Sequence, residues 1–184
     1  MTVPNLITTI RIILAPVFII YLINDQFLWA LVVFVLCVAS DGLDGLVARL
    51  FNQKSTLGTY LDPLADKILL VSAFITLSVR GYLPAWLTVM VIARDVMIML
   101  GIFFLIFNRM EFKLKPSVIS KLTTCLQFIA VLSVLSKDYT GFPTLYYLFV
   151  YNLTALFTIS SGLHYMHYWF KMMGEGGDNQ GNIS

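Results

Sequence analysis

Residues 28–50 read LWALVVFVLCVASDGLDGLVARL, an uncharged apolar run over 28–39 that gives way to Asp41, Asp44 and Arg49. A helix rises about 1.5 Å per residue, so about 20 mostly apolar residues cross a hydrocarbon core. This stretch is long enough, and five more are like it. The candidate spans run roughly over 8–24, 28–50, 58–79, 84–107, 117–136 and 144–170. Between them stand polar or helix-breaking connectors: Asn24 to Gln26, Asn52 to Ser55, Gly81 with Pro84, Arg109 to Pro116, and Lys137 to Pro143. The sequence therefore predicts an all-α integral membrane protein of six transmembrane helices, one domain over 1–173 with no evident internal repeat. The tail 174–184, GEGGDNQGNIS, is Gly-rich and polar with almost nothing to bury, and is expected to be disordered.

Composition agrees. Of 184 residues, 59% are hydrophobic and 12% charged, and the mean hydropathy is +0.84. A soluble domain carries about a quarter charged residues. The formal net charge of +2, scattered along the chain, excludes nucleic acid as the partner. Cys37 and Cys125 lie in apolar runs without a metal-binding spacing and are expected to pack. The opening MTVPNLITTIRIILAPVFIIYLI has neither the charged start nor the small-residue cleavage site of a signal peptide, so it is expected to be retained.

Cytoplasmic loops hold the excess of Lys and Arg. With the amino terminus inside, Arg49, Lys54, Arg109, Lys113, Lys115 and Lys171 fall at cytoplasmic ends, and Arg80 and Lys137 fall outside. Both termini are therefore expected in the cytoplasm, with a bacterial-type inner membrane as the expected location. In that topology the second helix descends and the third ascends. Asp41, Asp44, Asp62 and Asp66 then meet at one depth, just inside the cytoplasmic boundary.

Residues three or four apart on a helix share a face, so each pair of aspartates can aim at a single space. Gly45 and Ala48 extend the face of the first pair without bulk and leave room for a helix or ligand. A structural role is the alternative, with aspartates at wet helix ends or paired with Arg49 or Lys67. A carboxylate near the bilayer centre costs ~2.5–3.5 kcal/mol on insertion scales, less near the interface. Two cations do not neutralise four such groups. One or two hard divalent cations would, because Mg²⁺ and Ca²⁺ take oxygen ligands and the set has none of the softer His or Cys donors. Carboxylate-bound Mg²⁺ keeps positions open for water or phosphate, which points to phosphoryl chemistry.

The eight positions Asp41, Asp44, Gly45, Ala48, Arg49, Gly58, Asp62 and Asp66, spaced D-x2-D-G-x2-A-R-x8-G-x3-D-x3-D, resemble the signature of the CDP-alcohol phosphotransferase family without departure. The specific match is confined to 41–66. The resemblance implies a bundle of six transmembrane helices, usually a homodimer, with an amphipathic segment before the first helix that PNLITTIR would supply. It also implies Mg²⁺ or Mn²⁺, two ions, and a transfer in which a hydroxyl attacks the β-phosphorus of a CDP-linked donor and releases CMP. Carried over by position, Asp41, Asp44 and Asp62 are metal ligands, and Asp66 is both close to the metal and the general base. Gly45, Ala48 and Gly58 would leave space for cytidine and ribose, and Arg49 would contact the donor phosphate.

For the acceptor, the candidates are Arg94, near the middle of the fourth helix, and Lys121, about one turn into the fifth, since guanidinium and ammonium groups bind anionic head groups. Arg94 and Asp95 are adjacent and point in different directions, so a simple mutual salt bridge is not expected. Interhelical pairing for Asp95 and snorkelling for Lys121 are the structural alternatives. The stretches VPNLITTIRIILAPVF and YLDPLADK resemble phosphatidylglycerophosphate synthases, which join CDP-diacylglycerol to glycerol 3-phosphate. ARDVM at 93–97 and KPSVISKLTTCLQ at 115–127 resemble the cardiolipin synthases of the same superfamily, whose acceptor is phosphatidylglycerol. Glycerol 3-phosphate is the expected acceptor, as the commoner activity among similar chains, and phosphatidylglycerol is the alternative.

The rival class is a cation transporter with an Asp-lined site. Against it, the acidic residues cluster at one end of two consecutive helices, without inverted repeats. A catalytically silent scaffold would not need the intact motif. His164 and His167, among Tyr165, Tyr168 and Trp169, read as an interfacial aromatic belt more readily than as metal ligands. Ser160, Ser161 and Gly162 read as close helix packing or a bend. Pro63 falls either in the first turn of the third helix or at a kink.

Overall fold

A helix satisfies its own backbone hydrogen bonds, which is what a chain in hydrocarbon requires. A computed structural model describes the backbone of residues 3–51, 56–107 and 118–178, and the side chains of 13–40, 67–101, 103 and 118–169. Among the described residues there are seven helices and no strand. They are α1 (Val3–Ile23), α2 (Phe27–Phe51), α3 (Thr56–Val79), α4 (Ala85–Phe107), α5 (Val118–Leu135), the single turn α6 (Lys137–Thr140) and α7 (Thr144–Asp178). The expected all-α class holds.

Three boundaries differ from expectation. PNLITTIR is not set off from the first helix, because α1 starts at Val3 and runs through it. Pro4 sits in the first turn, where a missing N–H costs nothing. α3 starts at Thr56 and continues through Pro63, which is therefore beyond the first turn. α7 continues to Asp178, so 174–178 are helical where the composition pointed to disorder. Propagation from an established helix adds one bond per residue without a new nucleation cost. The remainder of that tail, 179–184, lies outside the described residues.

Neighbour relations close the long helices into a ring. α1 packs on α2 and α3, α3 on α4, α4 on α7, α7 on α5, and α5 on α2, with α3 also meeting α5. Phe18, Phe34, Phe74, Leu69, Leu77 and Leu87 are fully buried inside it. Phe34 lies 5.5 Å from Phe18 and 5.8 Å from Phe128, centroid to centroid, and so joins α2 to α1 and α5. Threonines stitch the helices through backbone oxygens. Thr123 donates to Phe157 O at 3.0 Å, Thr88 to Phe74 O at 3.3 Å, and Thr154 to Leu126 O at 3.4 Å. Such bonds contribute about 0.6 kcal/mol each within a bilayer.

Outward, the ring presents Ile13, Val89, Leu100, Phe103, Phe149, Leu156 and Leu163, all exposed. A surface this apolar is unfavourable in water and neutral against lipid tails. Among the described residues, one helix, Val118–Leu135, is long and apolar enough by itself to cross a membrane. Ile13–Ile23, Phe27–Ser40 and Lys67–Val79 are shorter apolar runs.

Three connections gather at one end. Arg80, after α3, donates to Ile23 O and to the Asp25 carboxylate in the α1–α2 turn. Phe27 and Tyr82 meet edge to face at 4.8 Å, and Tyr151 Oη donates to Tyr82 O at 3.3 Å. Each connection contains one left-handed residue: Asp25 (φ 57°), Gly81 (φ 75°) and Gly141 (φ 59°). The last turn of α2 and the first turn of α3 consequently lie at the opposite end. At 1.5 Å per residue, Asp41, Asp44, Asp62 and Asp66 all fall roughly 20–26 Å along their helices from the turn end.

Candidate active site

The backbone places Asp41, Asp44, Gly45, Ala48 and Arg49 on α2, and Gly58, Asp62 and Asp66 on α3. Their side chains lie outside those described. Among the described residues no three His, Cys, Asp or Glu side chains stand together as a metal-binding group.

The described chemistry begins at the next residue. Lys67 on α3 donates from Nζ to both carboxylate oxygens of Asp95 on α4, at 2.7 and 2.6 Å. Asp95 also accepts from Arg94 Nη1 at 2.7 Å, so the adjacent residues do form an ion pair, contrary to expectation. The directions of their Cα–Cβ bonds differ, but the long arginine side chain carries its guanidinium back to the carboxylate. Interhelical pairing of Asp95, the structural alternative, is present in its bond to Lys67.

Arg94 is 5% exposed, and a guanidinium at that depth needs acceptors for its five N–H groups. Nε and Nη2 donate to Ser161 Oγ on α7 at 3.2 and 2.8 Å, and Nη2 donates to Ser120 Oγ on α5 at 2.6 Å. The Tyr165 ring centroid lies 6.0 Å from its Cζ. One arginine thus ties together α4, α5 and α7, and Asp95 ties that set to α3. Two cations, Lys67 and Arg94, thus share the Asp95 carboxylate, and Lys67 directly follows Asp66 in the chain.

An apolar cavity of about 250 Å³ opens between α4 and α7, with Arg94, Met90, Met97, Gly162 and Met166 in its wall. Gly162 lets the helices approach, since a Cβ there would stand 3.2 Å from Met97 Cε. Lys121, the other candidate for the acceptor, is exposed at the start of α5, one residue after Ser120. His164 and His167 are exposed, and His164 meets the Tyr165 ring edge to face. Cys37 is buried and Cys125 exposed, and no disulfide joins them.

Sequence reasoning found Arg94 and treated Lys67 only as a counter-ion for the aspartates. It took Ser161 for a packing residue and passed over Ser120. The available signal was the arginine itself: deep in a helix it requires polar partners from other helices, and serines are the common suppliers.

A family model described as CDP-alcohol phosphatidyltransferase matches residues 1–170. A Rattus norvegicus protein named cardiolipin synthase (CMP-forming) is 37% identical over 187 residues, covering 92% of this chain and 62% of its own length. The Homo sapiens protein of the same name is 36% identical with the same coverage. An Aquifex aeolicus (strain VF5) protein named CDP-diacylglycerol–glycerol-3-phosphate 3-phosphatidyltransferase is 33% identical over 136 residues, 73% of this chain and 75% of its own length. The chain therefore spans less than two thirds of the two mammalian relatives.

Proposed function

Because the chain belongs to the CDP-alcohol phosphatidyltransferase family, we propose that it moves the phosphatidyl group of CDP-diacylglycerol onto a glycerol-type alcohol and releases CMP. The acceptor oxygen bonds to the phosphorus that carries diacylglycerol. The bond from that phosphorus to the oxygen bridging it to CMP breaks, and its electron pair leaves with CMP. Asp66 takes the hydroxyl proton.

Asp41, Asp44, Asp62 and Asp66 would hold Mg²⁺ or Mn²⁺, two ions, and an all-carboxylate donor set fits such hard cations. When bound, the metal supplies positive charge to the donor pyrophosphate as charge builds on the leaving group. A carboxylate near a cation is a weak base, so Asp66 receives the proton only as the forming P–O bond acidifies the hydroxyl. Gly45, Ala48 and Gly58 leave room for cytidine and ribose, and Arg49 holds a donor phosphate. Lys121 and the Arg94 guanidinium would bind the acceptor's phosphate.

Of the two acceptors, we favour phosphatidylglycerol, giving cardiolipin. The observation that carries this choice is the apolar cavity beside Arg94, where an acyl chain can lie next to a bound phosphate. The names of the relatives matched over 92% of the chain agree. Glycerol 3-phosphate is the second reading, favoured by the Aquifex aeolicus relative. Purified protein given CDP-diacylglycerol with each acceptor in turn should release CMP and form cardiolipin in the phosphatidylglycerol arm. Phosphatidylglycerophosphate as the only lipid product would reverse the choice, and cation flux without CMP release would favour a transporter.

We place the chain in a bacterial-type inner membrane as a homodimer of six-span subunits, with both termini and the aspartates on the cytoplasmic side. The outward apolar side chains and the distribution of Lys and Arg support this arrangement. A membrane-impermeant thiol reagent should label Lys137→Cys from outside in intact cells.

A further inference from the structure

The end of the bundle away from the aspartates contains a cavity of about 320 Å³ between the α3–α4 turn and the start of α7. That volume is within the range of small-molecule sites. Its wall is polar in a directed way. Lys137 is the one charged side chain among the described lining residues. Two helices begin here, with Pro84 just before α4 and Thr144 at the start of α7 both in the wall. First-turn N–H groups lack intrahelical partners, and the helix dipole makes both starts partly positive.

Tyr147 provides the independent sign of a ligand. It lines the cavity, is 5% exposed, and its buried hydroxyl has no hydrogen-bond partner among the described residues. An orphaned buried hydroxyl is unfavourable by about 1–3 kcal/mol, so native structures rarely keep one. Lys137 Nζ lies 5.6 Å from the centroid of the same ring. That ammonium is held at the cavity by a cation–π contact it can exchange for a stronger anionic partner.

We propose that this cavity binds a phosphate-bearing anion, with the Lys137 ammonium, the Tyr147 hydroxyl and the first turn of α7 as donors. The source is either a phospholipid head group at that membrane surface or dissolved phosphate. Neither requires the aspartate site or the transferase reading.

The test uses the full chain in neutral detergent, with thermal unfolding followed against inorganic phosphate and, separately, a short-chain phosphatidylserine, at ionic strength matched with chloride. Both the wild type and the variants are titrated. Lys137→Gln should weaken the responding probe about tenfold, the loss of one charge-assisted hydrogen bond. Tyr147→Phe should weaken it also, and should raise the Tm without probe because the unpartnered hydroxyl is gone. CMP release by Lys137→Gln should match the wild type, which separates this site from the catalytic one. A response to phosphatidylserine alone identifies a lipid head group, and a response to phosphate identifies a small-anion site. No response from the wild type, or one that both substitutions leave unchanged, overturns the proposal.

Discussion

Lys67 Nζ sits 2.7 and 2.6 Å from the two carboxylate oxygens of Asp95, and Lys67 is the residue that follows Asp66 on α3. The helix carrying the second aspartate pair is therefore clasped to α4 at the point where that pair ends. Asp95→Asn would remove the carboxylate that Lys67 and Arg94 share. Breaking a buried pair by removing one partner costs about 3–5 kcal/mol. Because the Lys67 side chain is 31% exposed, the lower end of that range is expected as a loss of stability in detergent. The double variant Lys67→Met/Asp95→Leu should recover part of it, and equal losses in single and double variants would argue against the clasp.

The two roles proposed for the aspartates separate by assay. Asp66→Asn should lower CMP release by about 10²–10⁴-fold, the usual contribution of a general base, while donor binding is largely retained. Asp41→Asn should weaken donor binding and turnover together, along with the dependence on added Mg²⁺ or Mn²⁺. Chelation should stop wild-type turnover, and added divalent ions should restore it. Retained turnover in Asp66→Asn would remove its role as base.

Gly101 and Gly162 both admit α7 close to α4, yet they should respond differently to alanine. A Cβ on Gly101 would run into the Trp169 indole, a rigid ring, whereas a Cβ on Gly162 would meet the flexible end of Met97 at 3.2 Å. Overpacking costs typically about 1–3 kcal/mol. Gly101→Ala should therefore lower the Tm clearly and Gly162→Ala only slightly. A double-mutant cycle of Gly101→Ala with Trp169→Leu should show favourable coupling.

Gly141 ends α6 at φ 59° with open space around it. Gly141→Ala should cost about 1–2 kcal/mol from backbone strain alone, read as a drop in Tm, and Gly141→Asn should cost less because Asn tolerates the left-handed region. Equal losses for the two variants would point to a contact instead of the backbone.

The helices were legible in the sequence because their signal is local. Apolar runs bounded by Asp25, Gly81 and Pro84 placed the breaks within a few residues of those found. The eight-position motif was legible for the same reason, since it occupies two consecutive helices. The Arg94 network was not, because its members come from α3, α4, α5 and α7, and only packing brings Ser120 and Ser161 to one guanidinium. The pairing of Arg94 with Asp95 was missed because helical spacing describes where a side chain departs, not how far an arginine reaches.

The Arg94 guanidinium has its partners spread along the order of synthesis. When α4 leaves the ribosome, Lys67 and Asp95 already exist, but Ser120 follows later and Ser161 near the end. Until α7 packs, the Arg94 Nε and Nη2 groups lack the Ser161 hydroxyl, so the last long helix closes a polar network that the earlier ones leave open.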